Sequence, residues 1–168
     1  MIVSKPTQDA LMELIKQCFV ENRKFDRMVS VLGVKFACNN SADLIHHSIA
    51  HYYPALSDSI GELCLERYNI PVVYGETPSG AEDFGSVKEI IFSMRDRSVD
   101  FQTMFMGACR IALDNNDLHV YADLSELLSN YNRIVDQTIL LADKIEAYDS
   151  AMAFDHDVNT FWKLEAQA

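Results

Sequence analysis

The chain has 168 residues, of which 49% are hydrophobic, and it carries a formal net charge of −11. A chain of this length and hydrophobicity forms one domain with a core, here residues 1–168, whereas a surface this acidic repels nucleic acid. The sequence has no recognisable signal peptide and no apolar run that could span a membrane. We therefore expect a cytoplasmic protein that binds neither membranes nor nucleic acid.

The first two helices are predicted from the spacing of apolar residues. These residues recur every three or four positions from Leu11 to Phe36, so a helix is expected from the cap candidate Thr7 to about residue 37. A short break at residues 38–41 precedes a second helix, which makes the two helices antiparallel neighbours. Pro54 lies inside the second helix, so a bend or a division is expected there.

Residues 70–85 break the helical pattern with two prolines and three glycines. Extended at about 3.3 Å per residue, this segment reaches roughly 50 Å, which exceeds the roughly 42 Å length of the second helix. The segment can therefore cross the length of a bundle, so that the third helix starts parallel to the second.

The remaining helices complete an all-α bundle. The third helix is expected over residues 85–113, and a turn separates it from a fourth helix with a heptad-like seam that ends near Ile145. Residues 151–164 are predicted to add a short fifth helix. The predicted fold is thus a four-helix bundle with one long crossover between helices 2 and 3 and a short C-terminal helix.

Metal-competent side chains form one stripe along the second helix, residues 42–69. At about 100° per residue, five of them fall within about 100° of one another, whereas His46 points in another direction. Imidazole and carboxylate ligands together suit iron, zinc or manganese. An ordinary solvated helix face is the alternative interpretation. The five residues of this stripe are His47, His51, Asp58, Glu62 and Glu66.

The stripe has a histidine end and a carboxylate end. Fifteen residues separate His47 from Glu62, a distance of roughly 22 Å that one ion cannot bridge. Two such helices packed antiparallel about a two-fold axis near Leu56 would bring the histidines of each subunit to the carboxylates of its partner. We therefore predict a homo-oligomer with a two-fold interface along helix 2 and two metal sites per dimer.

The order of four helices with one long crossover resembles the ferritin-like proteins. Within that class, the second helix resembles that of the Dps-type mini-ferritins, which carry the motif His-x3-Asp-x10-Asp-x3-Glu. The chain has His47-x3-His51-x10-Glu62-x3-Glu66, with the same register and with potential iron ligands at all four positions.

This resemblance implies oxidation of Fe(II) by peroxide or oxygen at an intersubunit site holding one or two irons. It also implies storage of Fe(III) inside a hollow shell, commonly a dodecamer. Asp58 would be an auxiliary ligand, and no catalytic residue beyond the metal ligands is implied.

Two departures from the family pattern favour a different function: Pro54 inside the second helix, and a missing histidine. The family has a further histidine twelve residues before the position of His47, where this chain has Lys35. The other ferritin-like plan, with a Glu on two helices and Glu-x-x-His on the other two, is not met either. The alternative is a ferritin-like oligomeric scaffold or binding module without ferroxidase activity, with zinc as its candidate ion.

Overall fold

The protein is described by a computed structural model that covers residues 2–167. Within those residues it contains helices and loops and no strand. Three of the four long helices are continuous α-helices, and a short helix ends in a 3-10 turn at Val158–Phe161. The helices are α1 (Lys5–Val34), α3 (Val87–Asp114), α4 (Leu118–Ile145) and the short α5 (Ala151–Asp157).

The second long helix, α2, covers residues 39–68 and changes its winding twice. Its α-helical segments are Asn39–Ile45 and Tyr52–Leu63. Each is followed by a π-helical turn, at His46–Ala50 and at Cys64–Tyr68. A π-turn spans five residues per hydrogen bond instead of four, and such turns frequently occur at functional sites.

The four long helices pack around one hydrophobic core, as predicted. α1 packs against both α2 and α3, and α3 and α4 pair along their lengths. The core is continuous through the bundle and includes Tyr53, Phe101, Phe105 and Tyr131 at its centre, all at most 2% exposed. The predicted all-α architecture, with its long crossover and short C-terminal helix, is confirmed.

Several predicted boundaries shift by a few residues. α1 begins at Lys5, before Thr7, with Ser4 at its N-cap position. α3 begins at Val87, where the hydroxyl of Ser86 accepts a hydrogen bond from the N–H of Glu89 at 3.1 Å. No helix within residues 2–167 is both long and apolar enough to cross a bilayer.

The crossover between α2 and α3 lies along α1 and is held there by basic side chains. Lys24 forms an ion pair with Glu82, which lowers the pKa of that carboxyl. Arg27 Nε donates to the backbone carbonyl of Glu82 at 2.8 Å, and Lys35 Nζ donates to that of Phe84 at 2.6 Å. These three cations therefore hold the crossover of the same chain against α1.

Gly80 marks the closest approach of the crossover to α1. A Cβ atom at this position would lie 2.8 Å from the backbone oxygen of Arg23, which cannot rotate away. We expect Gly80→Ala to lower the free energy of unfolding by about 1–3 kcal/mol, because the crossover must shift. Urea denaturation followed by circular dichroism measures this loss.

Gly61→Ala is the matched control for Gly80→Ala. No atom lies within 4 Å of a Cβ built at Gly61, which is inside α2. Alanine in a helix interior is favoured over glycine by about 0.5–1 kcal/mol, so this variant should be at least as stable as the original protein. Equal stability of the two variants would contradict the tight approach at Gly80.

The helix α2 continues through Pro54 and is not divided there. Proline has no N–H to donate to the carbonyl of Ala50, four residues earlier. The side chain of Asn22 on α1 supplies the missing donor, with Nδ2 at 3.0 Å from that oxygen. The π-turn His46–Ala50 precedes the proline by a few residues. The helix therefore changes its winding near Pro54 instead of dividing in two.

The C-terminal segment folds back onto the start of α2. The carboxylate of Asp155 on α5 accepts a hydrogen bond from the backbone N–H of Ser41 at 2.7 Å. Further along, the N–H of Gln167 donates to the carbonyl of His47 at 2.8 Å. This second contact ties the end of the described chain to the first π-turn.

Candidate metal centre

Three imidazoles converge on the first π-turn of α2: His46, His47 and His51. Each offers a ring nitrogen, and these atoms lie within 4.8 Å of one another. Ring centroids are 4.8 Å apart for His46 and His47, 4.4 Å for His46 and His51, and 5.4 Å for His47 and His51. His46 and His51 are half-buried and His47 is exposed, so solvent reaches this histidine cluster.

The π-turn explains why His46 belongs to the cluster, and the sequence-based direction of its side chain is wrong. In an α-helix, residues five apart point about 140° away from each other. Here the N–H of His51 bonds to the carbonyl of His46 at 3.1 Å, so the turn between them is widened and the two ring centroids come within 4.4 Å of each other. Pro54 was the signal in the sequence that α-helical spacing would not hold.

A carboxylate lies beside the cluster. Asp43 Oδ1 is 3.3 Å from Nε2 of His47, one turn away on the same helix. Carboxylates in this position orient metal-binding imidazoles and fix which ring nitrogen carries the proton. Sequence reasoning missed Asp43, although its spacing of four from His47 could have revealed it.

The predicted carboxylates lie elsewhere on α2. Asp58, Glu62 and Glu66 are exposed and are not part of the group of converging ligand atoms found within residues 2–167. Glu62 and Glu66 line a cleft of about 290 Å³ between α2 and α4. Arg67 and Asp123 line the same cleft and are paired at 2.9 Å. Within one chain, the two ends of the stripe are therefore far apart, as the length of the helix requires.

The cysteines do not contribute to the cluster. All four thiols are free and buried. Burial raises the pKa of Cys38 and of Cys64 to about 11. The thiolate is the form that binds metals, so these side chains are poor ligands near neutral pH.

A buried carboxylate, Glu21, lies between α1 and α3 with its oxygens already engaged. Glu21 on α1 is 3% exposed and forms a two-pronged ion pair with Arg97 on α3, with both N···O distances 2.8 Å. The amide of Gln17 donates to the same carboxylate at 2.9 Å. These donors neutralise and satisfy the oxygens that an interior metal would need.

Hydroxyl groups fill the space next to that ion pair. Tyr53 and Tyr131 meet through their hydroxyls at 3.1 Å, and Tyr131 Oη donates to the carbonyl of Ser98 at 2.8 Å. Burial raises the pKa of both phenols, so both stay protonated. The middle of the bundle is therefore a neutral, hydrogen-bonded aromatic cluster.

A comparison with solved structures shows which known fold this arrangement of helices resembles. An engineered closed form of the ferritin from Archaeoglobus fulgidus superposes with a TM-score of 0.85 and covers 94% of each chain, at 11% sequence identity. The chain has the ferritin fold. No protein-family model matches the sequence, and no curated protein matches it either.

The ferritin-like bundle of this chain differs from the di-iron plan of ferritin-like carboxylate proteins. That plan needs a Glu on two helices and a Glu-x-x-His motif on each of the other two, all directed inward. Among residues 2–167, three carboxylates are buried: Glu21 is paired with Arg97, Asp117 accepts a hydrogen bond from Ser4, and Asp155 accepts one from Ser41. The metal-competent group of this chain lies on α2 instead, at the histidine cluster.

The histidine cluster fits a divalent transition metal. Neutral imidazole suits zinc, copper, iron and nickel, whereas calcium and magnesium prefer oxygen ligands. A carboxylate beside one of the imidazoles supplies the outer contact that such sites usually have. Lys35, which stands where the resembled motif has its further histidine, donates to the backbone of the crossover and offers no ligand atom.

Proposed function

We propose that this ferritin-like protein binds Fe(II) on α2, oxidises it at an intersubunit site and stores or detoxifies the iron. The observation that carries the proposal is the histidine cluster, in which His47 and His51 lie together at the histidine end of the stripe on α2. The carboxylates of Glu62 and Glu66 would reach it from a two-fold partner. The ferritin fold is consistent with this function, because iron storage is known in that class of protein.

The chemistry would depend on an incomplete ligand shell. Imidazoles and carboxylates hold ferrous iron while leaving coordination positions open for the oxidant. Hydrogen peroxide accepts two electrons, one from each of two ferrous ions, and two protons, and is reduced to water. The partner's carboxylates would offset the positive charge that accumulates on the iron, and the net charge of −11 would favour entry of Fe(II).

Iron oxidation by the purified protein tests the proposal. Fe(II) is added without oxygen, air or peroxide follows, and ferric absorbance is recorded over time. We expect oxidation faster than in protein-free buffer, and we expect the Glu62→Ala, Glu66→Ala double variant to lose at least about tenfold of that rate, since two charged ligands are removed.

A second double variant provides the control for charge. Glu13→Ala, Glu76→Ala removes two exposed carboxylates that lie on α1 and on the crossover, outside the stripe. Its oxidation rate should match that of the original protein. A rate for the original protein equal to that of buffer alone would overturn the proposed oxidation.

The proposed assembly is a homo-oligomer with a two-fold interface along α2, and twelve subunits is the size common in the family that the motif resembles. Sedimentation analysis of the purified protein gives its mass. A species that stays monomeric at all concentrations would remove the partner carboxylates from the site and with them the intersubunit chemistry.

An oligomeric scaffold that binds zinc is the second candidate function. The three-imidazole set favours it, because zinc is held by three histidines and a water in known enzymes. The same iron experiment separates the two functions. A scaffold leaves the oxidation rate at that of buffer while zinc still binds tightly.

A further inference from the structure

We infer that His46, His47 and His51 form a mononuclear site for a divalent ion of the zinc class, complete within one subunit and created by the first π-turn of α2. The inference rests on the proposed metal binding by α2. It states that an ion binds within one chain before a partner adds any ligand. His46 is the decisive residue, because the motif shared with mini-ferritins does not include it.

The ring positions suit a single tetrahedral ion. A zinc–nitrogen bond of about 2.0–2.1 Å holds the centroids of tetrahedrally arranged imidazoles roughly 5.2 Å apart. The three centroid separations here are 4.8, 4.4 and 5.4 Å. The ring planes are inclined by 41°, 64° and 85°, so the rings do not stack on one another. Small side-chain rotations therefore suffice to direct one nitrogen of each ring at a common point.

The backbone contacts of the π-turn hold these rings in place. Pro54 cannot donate to Ala50 and would crowd its carbonyl in a regular α-helix, which favours the wider turn. Asn22 compensates the carbonyl of Ala50 at 3.0 Å, and the N–H of Gln167 binds the carbonyl of His47 at 2.8 Å. The turn is thus fixed from α1 on one side and from the C-terminal segment on the other.

Asp43 selects the ligand atom of His47. Its carboxylate lies 3.3 Å from Nε2 and stabilises the tautomer with the proton on that nitrogen, which leaves Nδ1 for the ion. The fourth coordination position remains for water, as in zinc sites with three protein ligands. The resulting site is one that Co²⁺ also fills, and cobalt reports tetrahedral geometry through its visible absorption.

Titration of Zn²⁺ and Co²⁺ into the full-length protein tests the inference. Calorimetry should give one ion per chain, and Co²⁺ should develop intense tetrahedral bands. We expect His46→Gln to weaken binding about a hundredfold and to abolish those bands. His156→Gln, which changes an exposed histidine outside the cluster, should leave both unchanged.

A further double variant separates this site from the intersubunit one. Glu62→Gln, Glu66→Gln should retain one ion per chain at the original affinity, because the partner's carboxylates are not needed. Unchanged binding of Zn²⁺ and Co²⁺ by the His46→Gln variant would overturn the inference. The proposed iron oxidation would still stand, because it is tested separately by changing Glu62 and Glu66. Loss of binding in the Glu62, Glu66 variant would also overturn the inference.

The role of the π-turn is tested by Pro54→Ala, which restores the missing N–H and should not unfold the helix. The turn is then free to relax to α-helical winding, which moves His46 away from His51. We expect the Co²⁺ bands to weaken as in His46→Gln while the melting temperature holds or rises. Undiminished Co²⁺ absorption by the Pro54→Ala variant would contradict the claim that the site depends on the π-turn.

Discussion

Replacing Arg97 with methionine should lower the free energy of unfolding by about 3–5 kcal/mol, because it leaves the carboxylate of Glu21 buried without its cation. The side chain of Glu21 is 4% exposed and that of Arg97 is 31% exposed, so water compensates only from one side. Chemical denaturation, with the unfolding midpoint and slope both fitted, measures the loss. In thermal unfolding, a chain of this size should lose roughly 6–20 °C of melting temperature.

The double variant Glu21→Leu, Arg97→Met separates charge from packing. Replacing both members of a buried pair with apolar side chains is often neutral or stabilising, so most of the lost stability should return. An equal loss in the single and double variants would show that Arg97 acts through its packing. Recovery would establish that the interior carboxylate needs Arg97 and has no other cation.

Tyr131→Ala should lower the free energy of unfolding by a similar amount, about 3–5 kcal/mol. The side chain is fully buried and packs against Tyr53, Phe101 and Phe105, so truncation leaves a large cavity in the middle of the bundle. The measurement is again urea unfolding, with near-ultraviolet circular dichroism to report on the aromatic cluster.

Tyr131→Phe isolates the hydroxyl from the ring. The variant keeps the packing but leaves the carbonyl of Ser98 without the phenol donor at 2.8 Å, which should cost about 1–3 kcal/mol. Equal effects of phenylalanine and alanine would contradict the assignment of this region as a packed aromatic cluster. The smaller loss for phenylalanine would place the greater part of the stabilisation in the ring.

The fold was largely predictable because it depends on features that a sequence displays directly. Apolar residues at spacings of three and four give four long helices, and residues 70–85 are long enough to return along the bundle. The structure adds how the crossover is held, through Lys24 and Arg27 on α1 and Lys35 directly after it. That could not be read from the sequence, because the acceptors are mostly backbone carbonyls of a segment without regular structure.

The candidate site was predictable only in part, since the prediction assumed α-helical winding throughout helix 2. That assumption brings His47 and His51 together, and the structure does the same. The same assumption places His46 outside the cluster. In the structure, one wider turn changes the direction of that side chain although the sequence spacing stays the same. Asp58, Glu62 and Glu66 remain predicted ligands whose role depends on a second subunit.

The hydrogen bond between Gln167 and His47 has a practical consequence for preparing the protein. The backbone of Gln167 contacts that of His47, so a polyhistidine purification tag joined close to Gln167 would compete for the ions that the histidine cluster would bind. Ser4 lies at the end of α1 away from the connection to α2, and its Oγ donates to Asp117 at 2.6 Å. A cleavable tag at that end leaves the metal chemistry of α2 undisturbed.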